Sequence, residues 1–255
     1  METKGDYPTR PEIKTYSFEN FGQFAKVSAD LEPNVFPYKV ALPLDGNFFQ
    51  SVYNRVYRGK NTTSVDSGVS IERKAIIGAD DTGSLMISNE VFEGNEYESL
   101  TNKSLTEMHK HVNMVKQIPF PAGWRTFGSI HSHPLDDVIN HVAGYFIKSI
   151  PRVNEVPITW SLGDFQSFMY SAGWGHRDFT TLGVITQTQL GFMVASKTTV
   201  EVAKANNNEL RKILMSKRSS LESPPYKLFE KYGVILYGGN HFGRQKGEMQ
   251  LQRLF

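Results

Sequence analysis

Apolar positions set out a run of elements along the chain. Phe48, Phe49, Val52 and Val56 recur at helical spacing with Tyr53 and Tyr57 beside them, and Gly59 stands where a C-capping glycine belongs. This predicts a helix, followed by a polar loop over residues 60–68. Val69, Ile71, Ala75, Ile76 and Ile77 predict a strand over 69–78, and Asp80, Asp81, Thr82 and Gly83 form a turn into a second strand over 84–92, together a hairpin. Leu105, Met108, Val112 and Val115 predict an amphipathic helix over 104–116, ended by Pro119 and Pro121.

Residues 124–131 then read as a strand running into His-Ser-His-Pro, where Pro134 stops its ladder. Val138, Ile139, Val142, Tyr145 and Phe146 predict a short helix between Pro134 and Pro151. Ser161 and Asp164 open another through Phe165, Phe168 and Met169, with Gly173 as its cap. A hairpin over 182–186 and 190–195, a helix over 209–217 and a strand over 233–237 complete the reading. Residues 1–45, broken by Pro8, Pro11, Pro33, Pro37 and Pro43 without a sustained period, read as an irregular extension.

Composition bounds the class. The chain has 255 residues, 39% apolar and 21% charged, which gives it room for one large domain, or a small domain with folded extensions, and enough apolar surface for a core. Its formal charge of +2 is too weak to imply nucleic acid or an anionic membrane. The basic run Arg211, Lys212, Lys217, Arg218 reads as a solvated helix face. No cysteine is present, so disulfide frameworks, thiolate metal sites and cysteine nucleophiles are excluded, and any metal must take nitrogen and oxygen ligands. No apolar run has the length of a membrane span, and no apolar segment follows Met1, Glu2, Thr3 and Lys4, so a cytoplasmic protein is expected.

Two of the histidine pairs have the form His-x-His. Residues i and i+2 share a face of a strand but lie about 200° apart on a helix. His109 and His111 therefore diverge from the predicted helix, whereas His131 and His133 converge at a strand end. Two imidazoles there are a common start for a zinc site, which needs a third protein ligand and an open position for water. Asp164, three residues after Ser161 at a helix start, supplies a carboxylate; the same pair also fits a simple helix cap. Glu72 stands in an apolar strand, where a carboxylate is costly unless paired or functional, and it reads either as a catalytic base or as a solvent-facing residue.

Together these residues resemble the JAMM (MPN-plus) metallopeptidase family. Its pattern is a strand glutamate in Glu-x-x-Gly followed by two apolar residues, then His-Ser/Thr-His-Pro, then Ser-x-x-Asp. This chain carries Glu72-Arg73-Lys74-Ala75-Ile76-Ile77, His131-Ser132-His133-Pro134 and Ser161-Leu162-Gly163-Asp164 in that order. Ala75 replaces the usual glycine, and the 26 residues of 135–160 exceed the family's usual spacing.

The resemblance implies an α/β class with the MPN/JAMM fold, a curved mixed sheet flanked by helices as in cytidine-deaminase-like sandwiches. It covers residues 46–196 as a catalytic domain with an insertion at about 135–156, an expected lid or substrate-contact element, between an N-terminal extension (1–45) and a C-terminal extension (197–255) of helix plus strand. It further implies one zinc held by His131, His133 and Asp164, Glu72 as proton shuttle, and Ser161 as oxyanion donor. The implied activity is that of a zinc-dependent peptidase or isopeptidase acting after the tail of ubiquitin, a ubiquitin-like modifier or a sulfur-carrier protein. The chain is expected to act on a protein or peptide, alone, as a homo-oligomer or within a complex, without nucleic acid or membrane.

Rival readings are fewer. Metallo-β-lactamase-like enzymes need His-x-His-x-Asp-His, but Leu135 stands where the aspartate belongs, and too little chain follows His131 for an amidohydrolase barrel. A catalytically silent MPN-type scaffold is the alternative of a different class.

Overall fold

The computed structural model describes residues 18–44, 46–57, 73–93, 120–132, 160, 162–174, 179–186, 189–216, 226–241 and 246–254. The elements in chain order are α1 (Phe21–Val27), β1 (Lys39–Pro43), α2 (Asn47–Ser51) continued by a π-helical turn (Val52–Tyr57), β2 (Arg73–Ala79), β3 (Leu85–Ile87), β4 (Phe92–Glu93) and β5 (Arg125–Ser132). After these come α3 (Leu162–Trp174), β6 (Thr181–Ile185), β7 (Gln189–Ala195), α4 (Lys197–Ala205), α5 (Asn208–Met215), α6 (Tyr226–Lys231), β8 (Val234–Asn240) and β9 (Glu248–Arg253). The class is α/β.

The strands form one mixed sheet in the order β1-β9-β8-β7-β6-β5-β2-β3, with β4 also on β2. Every described pairing is antiparallel except β5 with β6. A parallel pair needs a crossover, and α3 lies in the connection between these two strands. The arrangement brings the start of α3 over the carboxyl end of β5, the place where open α/β sheets bind ligands.

Alternation divides the sheet between two apolar layers. One face places Ala75, Ile77, Ile130, Phe192, Val194, Ile235 and Tyr237 against Phe21, Phe24, Phe49, Val52 and Val56 of α1, α2 and the π-helical turn. The other places Leu182, Val184, Met193, Val234 and Leu236 against Phe165, Phe168 and Met169 of α3, Ala203 of α4, Leu210 and Leu214 of α5, and Phe229 of α6. His131 pairs with Val184 across β5 and β6, so it belongs to this second face, beneath α3.

Several expectations take a different form. The helix from Phe48 widens into a π-helical turn over Val52–Tyr57, in which Val52, Tyr53 and Val56 are buried. The predicted second strand of the hairpin divides into β3 and β4. Gly173 does not cap α3; it lies one residue inside the helix end, where an added Cβ would come within 2.8 Å of the Ala203 carbonyl oxygen, so its missing side chain permits close packing of α3 on α4. Residues 21–43, read as irregular, contain α1, two 3₁₀ turns and β1. After residue 196 the chain contributes three helices and two sheet strands among the described residues, more than a helix and a strand.

The other expected elements hold where they are described: the turn at Asp80 to Gly83, β5, the β6–β7 hairpin, and exposed Arg211 and Lys212 on α5. The predicted helices over 104–116 and 138–146, with His109 and His111, lie outside the described residues, as does the insertion at about 135–156. No helix among the described residues is long and apolar enough to cross a membrane.

Candidate metal centre

The strand β5 reads Arg-Thr-Phe-Gly-Ser-Ile-His-Ser and is buried from Phe127 onward. Its register with β2 sets Lys74 opposite His131 and Ile76 opposite Ser129, so all four belong to the face under α3. A hydrogen bond from the Arg73 amide to Ser132 Oγ, 3.0 Å long, ties the start of β2 to the end of β5.

Asp164 stands in the first turn of α3, where the unpaired amides and the helix dipole favour a carboxylate. The helix is fixed from behind. Gln166 Nε2 donates to the Ile213 carbonyl at 2.7 Å, binding α3 to the end of α5, and the Phe165 ring meets Phe229 edge-on at 5.4 Å. With its backbone so held, Asp164 places Oδ1 3.0 Å from His131 Nε2. Both residues are buried, at 8% and 9% exposure.

The structure therefore unites two of the expected site residues, one from each of two separate sequence motifs. Glu72, His133 and Ser161 lie outside the described residues; Glu72 directly precedes β2, His133 directly follows β5, and Ser161 directly precedes α3. Among the described residues no group of three His, Cys, Asp or Glu side chains is assembled.

The donor chemistry of the pair fits zinc. An imidazole nitrogen and a carboxylate oxygen are ordinary zinc ligands, and here the two stand 3.0 Å apart on buried residues. His133 would supply the third ligand.

One charged residue at this place was missed in the sequence. Lys74 keeps some exposed surface as a residue, yet burial pushes its amino group below the ordinary lysine pKa, and the negative charge of Asp164 opposes that shift with a smaller effect. Its signal was present: a lysine two residues after Glu72 in a strand that is apolar from Ala75 onward carries the same desolvation cost that drew attention to the glutamate.

No protein-family model, curated protein or solved structure matches the chain.

Proposed function

We propose that this chain is a zinc-dependent peptidase or isopeptidase of the JAMM (MPN-plus) type, cleaving an amide bond after the C-terminal tail of ubiquitin, a ubiquitin-like modifier or a sulfur-carrier protein. The observation that carries the reading is the 3.0 Å approach of His131 to Asp164 at the carboxyl end of β5. A helix cap accounts for Asp164 alone, but not for its meeting the histidine of a second motif.

In this reading His131, His133 and Asp164 hold one zinc. When bound, the metal supplies Lewis acidity, which polarises a carbonyl and acidifies water. Glu72 takes a proton from the attacking water and returns it to the leaving amine. The Ser161 hydroxyl donates to the developing oxyanion. His131 and Asp164, rooted on a buried strand and a clamped helix, keep the donor geometry fixed. The segment at about 135–156, longer than the family's spacing, is the proposed substrate-contact element.

Elemental analysis and cleavage of a panel of modifier fusions, read by intact mass, test the reading on shared preparations. About one zinc per chain is expected in the wild-type protein, and loss of zinc in His131→Ala. Glu72→Gln should keep its zinc and lose about 100-fold to 10,000-fold in turnover; Ser161→Ala should lose about 100-fold to 1,000-fold. Equal zinc in wild type and His131→Ala, or full activity in Glu72→Gln, would overturn the assignment.

A second reading, a non-catalytic MPN-type partner-binding module, is favoured by one observation: Lys74 offers Asp164 a positive charge without a metal. It requires that protein purified without chelator contain no zinc and bind none.

A further inference from the structure

A cation placed beside the ligands of another cation is unfavourable unless the two alternate. Lys74 faces His131 across β2 and β5, a pairing that sets Cβ atoms about 4.5–5.5 Å apart. His131 Nε2 is 3.0 Å from Asp164 Oδ1, so Lys74, His131 and Asp164 converge on one small region of the sheet face. The surroundings solvate charge poorly. Ile76 lies opposite Ser129 on the same face, and Leu182 and Val184 continue it on β6, all four buried. An ammonium has three donors and no acceptor, and among the described residues Asp164 is the carboxylate whose charge acts on Lys74. Zinc held by His131 and Asp164 would need the same oxygens, and would put two positive charges close to a third in a setting of low dielectric.

We propose that Lys74 is a built-in competitor for the metal: its side chain and zinc share the Asp164 carboxylate, so loading requires Lys74 to withdraw, and this exchange sets the zinc affinity of the site. The inference rests on the zinc reading above. It gives the metal-free protein an internal counter-cation for Asp164, and it makes loading responsive to free zinc in place of permanent retention.

The test measures zinc dissociation constants by competition with a chromophoric chelator, at one pH, for wild type, Lys74→Met, Lys74→Arg and His131→Ala. Methionine keeps the stem and removes the charge; arginine keeps the charge. The expected result is about 10-fold to 100-fold tighter binding in Lys74→Met, near-wild-type binding in Lys74→Arg, and loss of binding in His131→Ala. Should Lys74→Met fail to fold, Lys74→Gln carries the same expectation. If wild type binds through His131 while neither neutral variant binds more tightly, the competition is overturned and the zinc reading stands. If no folded variant binds zinc, both are overturned.

Discussion

Ile76 of β2 lies between two buried serines that differ in what their hydroxyls do. Ser88 Oγ accepts from the Ile76 amide at 3.1 Å and donates to the Glu90 carbonyl at 2.6 Å, which closes the polypeptide around the β3 to β4 connection. Ser129, opposite Ile76 on β5, is fully buried, and its Oγ has no hydrogen-bond partner among the described residues. A lost partner leaves a buried amide unsatisfied, whereas removal of an unpaired hydroxyl relieves a desolvation cost. Ser88→Ala should therefore destabilise the fold by about 1–3 kcal/mol, and Ser129→Ala should be neutral or stabilising. Urea denaturation of the two variants checks this; an equal loss in both would mean that Ser129 is engaged. The same physics governed what was legible at the site. His131 stood out because its pair falls at a strand end, and Asp164 because it opens a helix. Lys74 escaped because it occupies an unspecified position inside a motif, although its burial cost was visible in the residues around it.

Among the elements, the strands with a strong apolar core and the long helix were the legible ones. β1 was hidden by Pro43 within it and Pro37 before it; proline argues against a central strand but is admissible at a sheet edge, and β1 is an edge strand whose Pro43 pairs with Glu248. The strand β9 alternates Met249 and Leu251 inward with Glu248 and Gln250 outward, a clear period that its short length concealed. The helix α4 is capped by a reciprocal box between Ser196 and Thr199, and Thr199 stands where the Ser/Thr-x-x-Glu/Gln form by which such boxes are sought has Glu or Gln. The parallel contact of β5 with β6, on which the site depends, also follows no local pattern. It requires Gly128, because a Cβ there would stand 2.1 Å from the Thr181 carbonyl oxygen of the neighbouring backbone. A backbone contact cannot rotate aside as a flexible side chain does. Gly128→Ala should thus cost roughly 1–3 kcal/mol or more, the range of overpacked cores. Chemical denaturation measures the loss, and an unchanged midpoint would show that β5 and β6 separate without penalty.

At the scale of the whole molecule, the first described strand pairs with the last. Tyr237 Oη donates to the Pro37 carbonyl at 2.6 Å, and the Arg253 amide donates to that of Tyr38 at 2.9 Å, so β8 and β9 hold the segment before β1. His241 performs a similar joining at the far end of β8. It is fully buried, its Nε2 lies 3.2 Å from the Thr186 carbonyl in the β6–β7 connection, and its ring centroid is 5.1 Å from that of Phe49 and 5.6 Å from that of Tyr53. Three segments far apart in sequence therefore meet at one imidazole. Burial lowers its pKa below the ordinary histidine value, and hydrogen bonding to the Thr186 and Gln189 backbone opposes this less strongly. Between the lowered native value and the ordinary value of about 6.5, the unfolded chain binds the proton and the folded chain does not, so stability rises with pH in that window. This contribution is complete above the ordinary value and is lost as pH falls below it toward the native one. The wild-type protein should accordingly lose stability on acidification from pH about 7.5 to about 5.5 more steeply than His241→Gln, which has no imidazole to protonate. Urea midpoints for both proteins across that range check the difference. Parallel curves would show that protonation of His241 costs the fold nothing, and that the joint between α2, β6–β7 and β8 tolerates a buried charge.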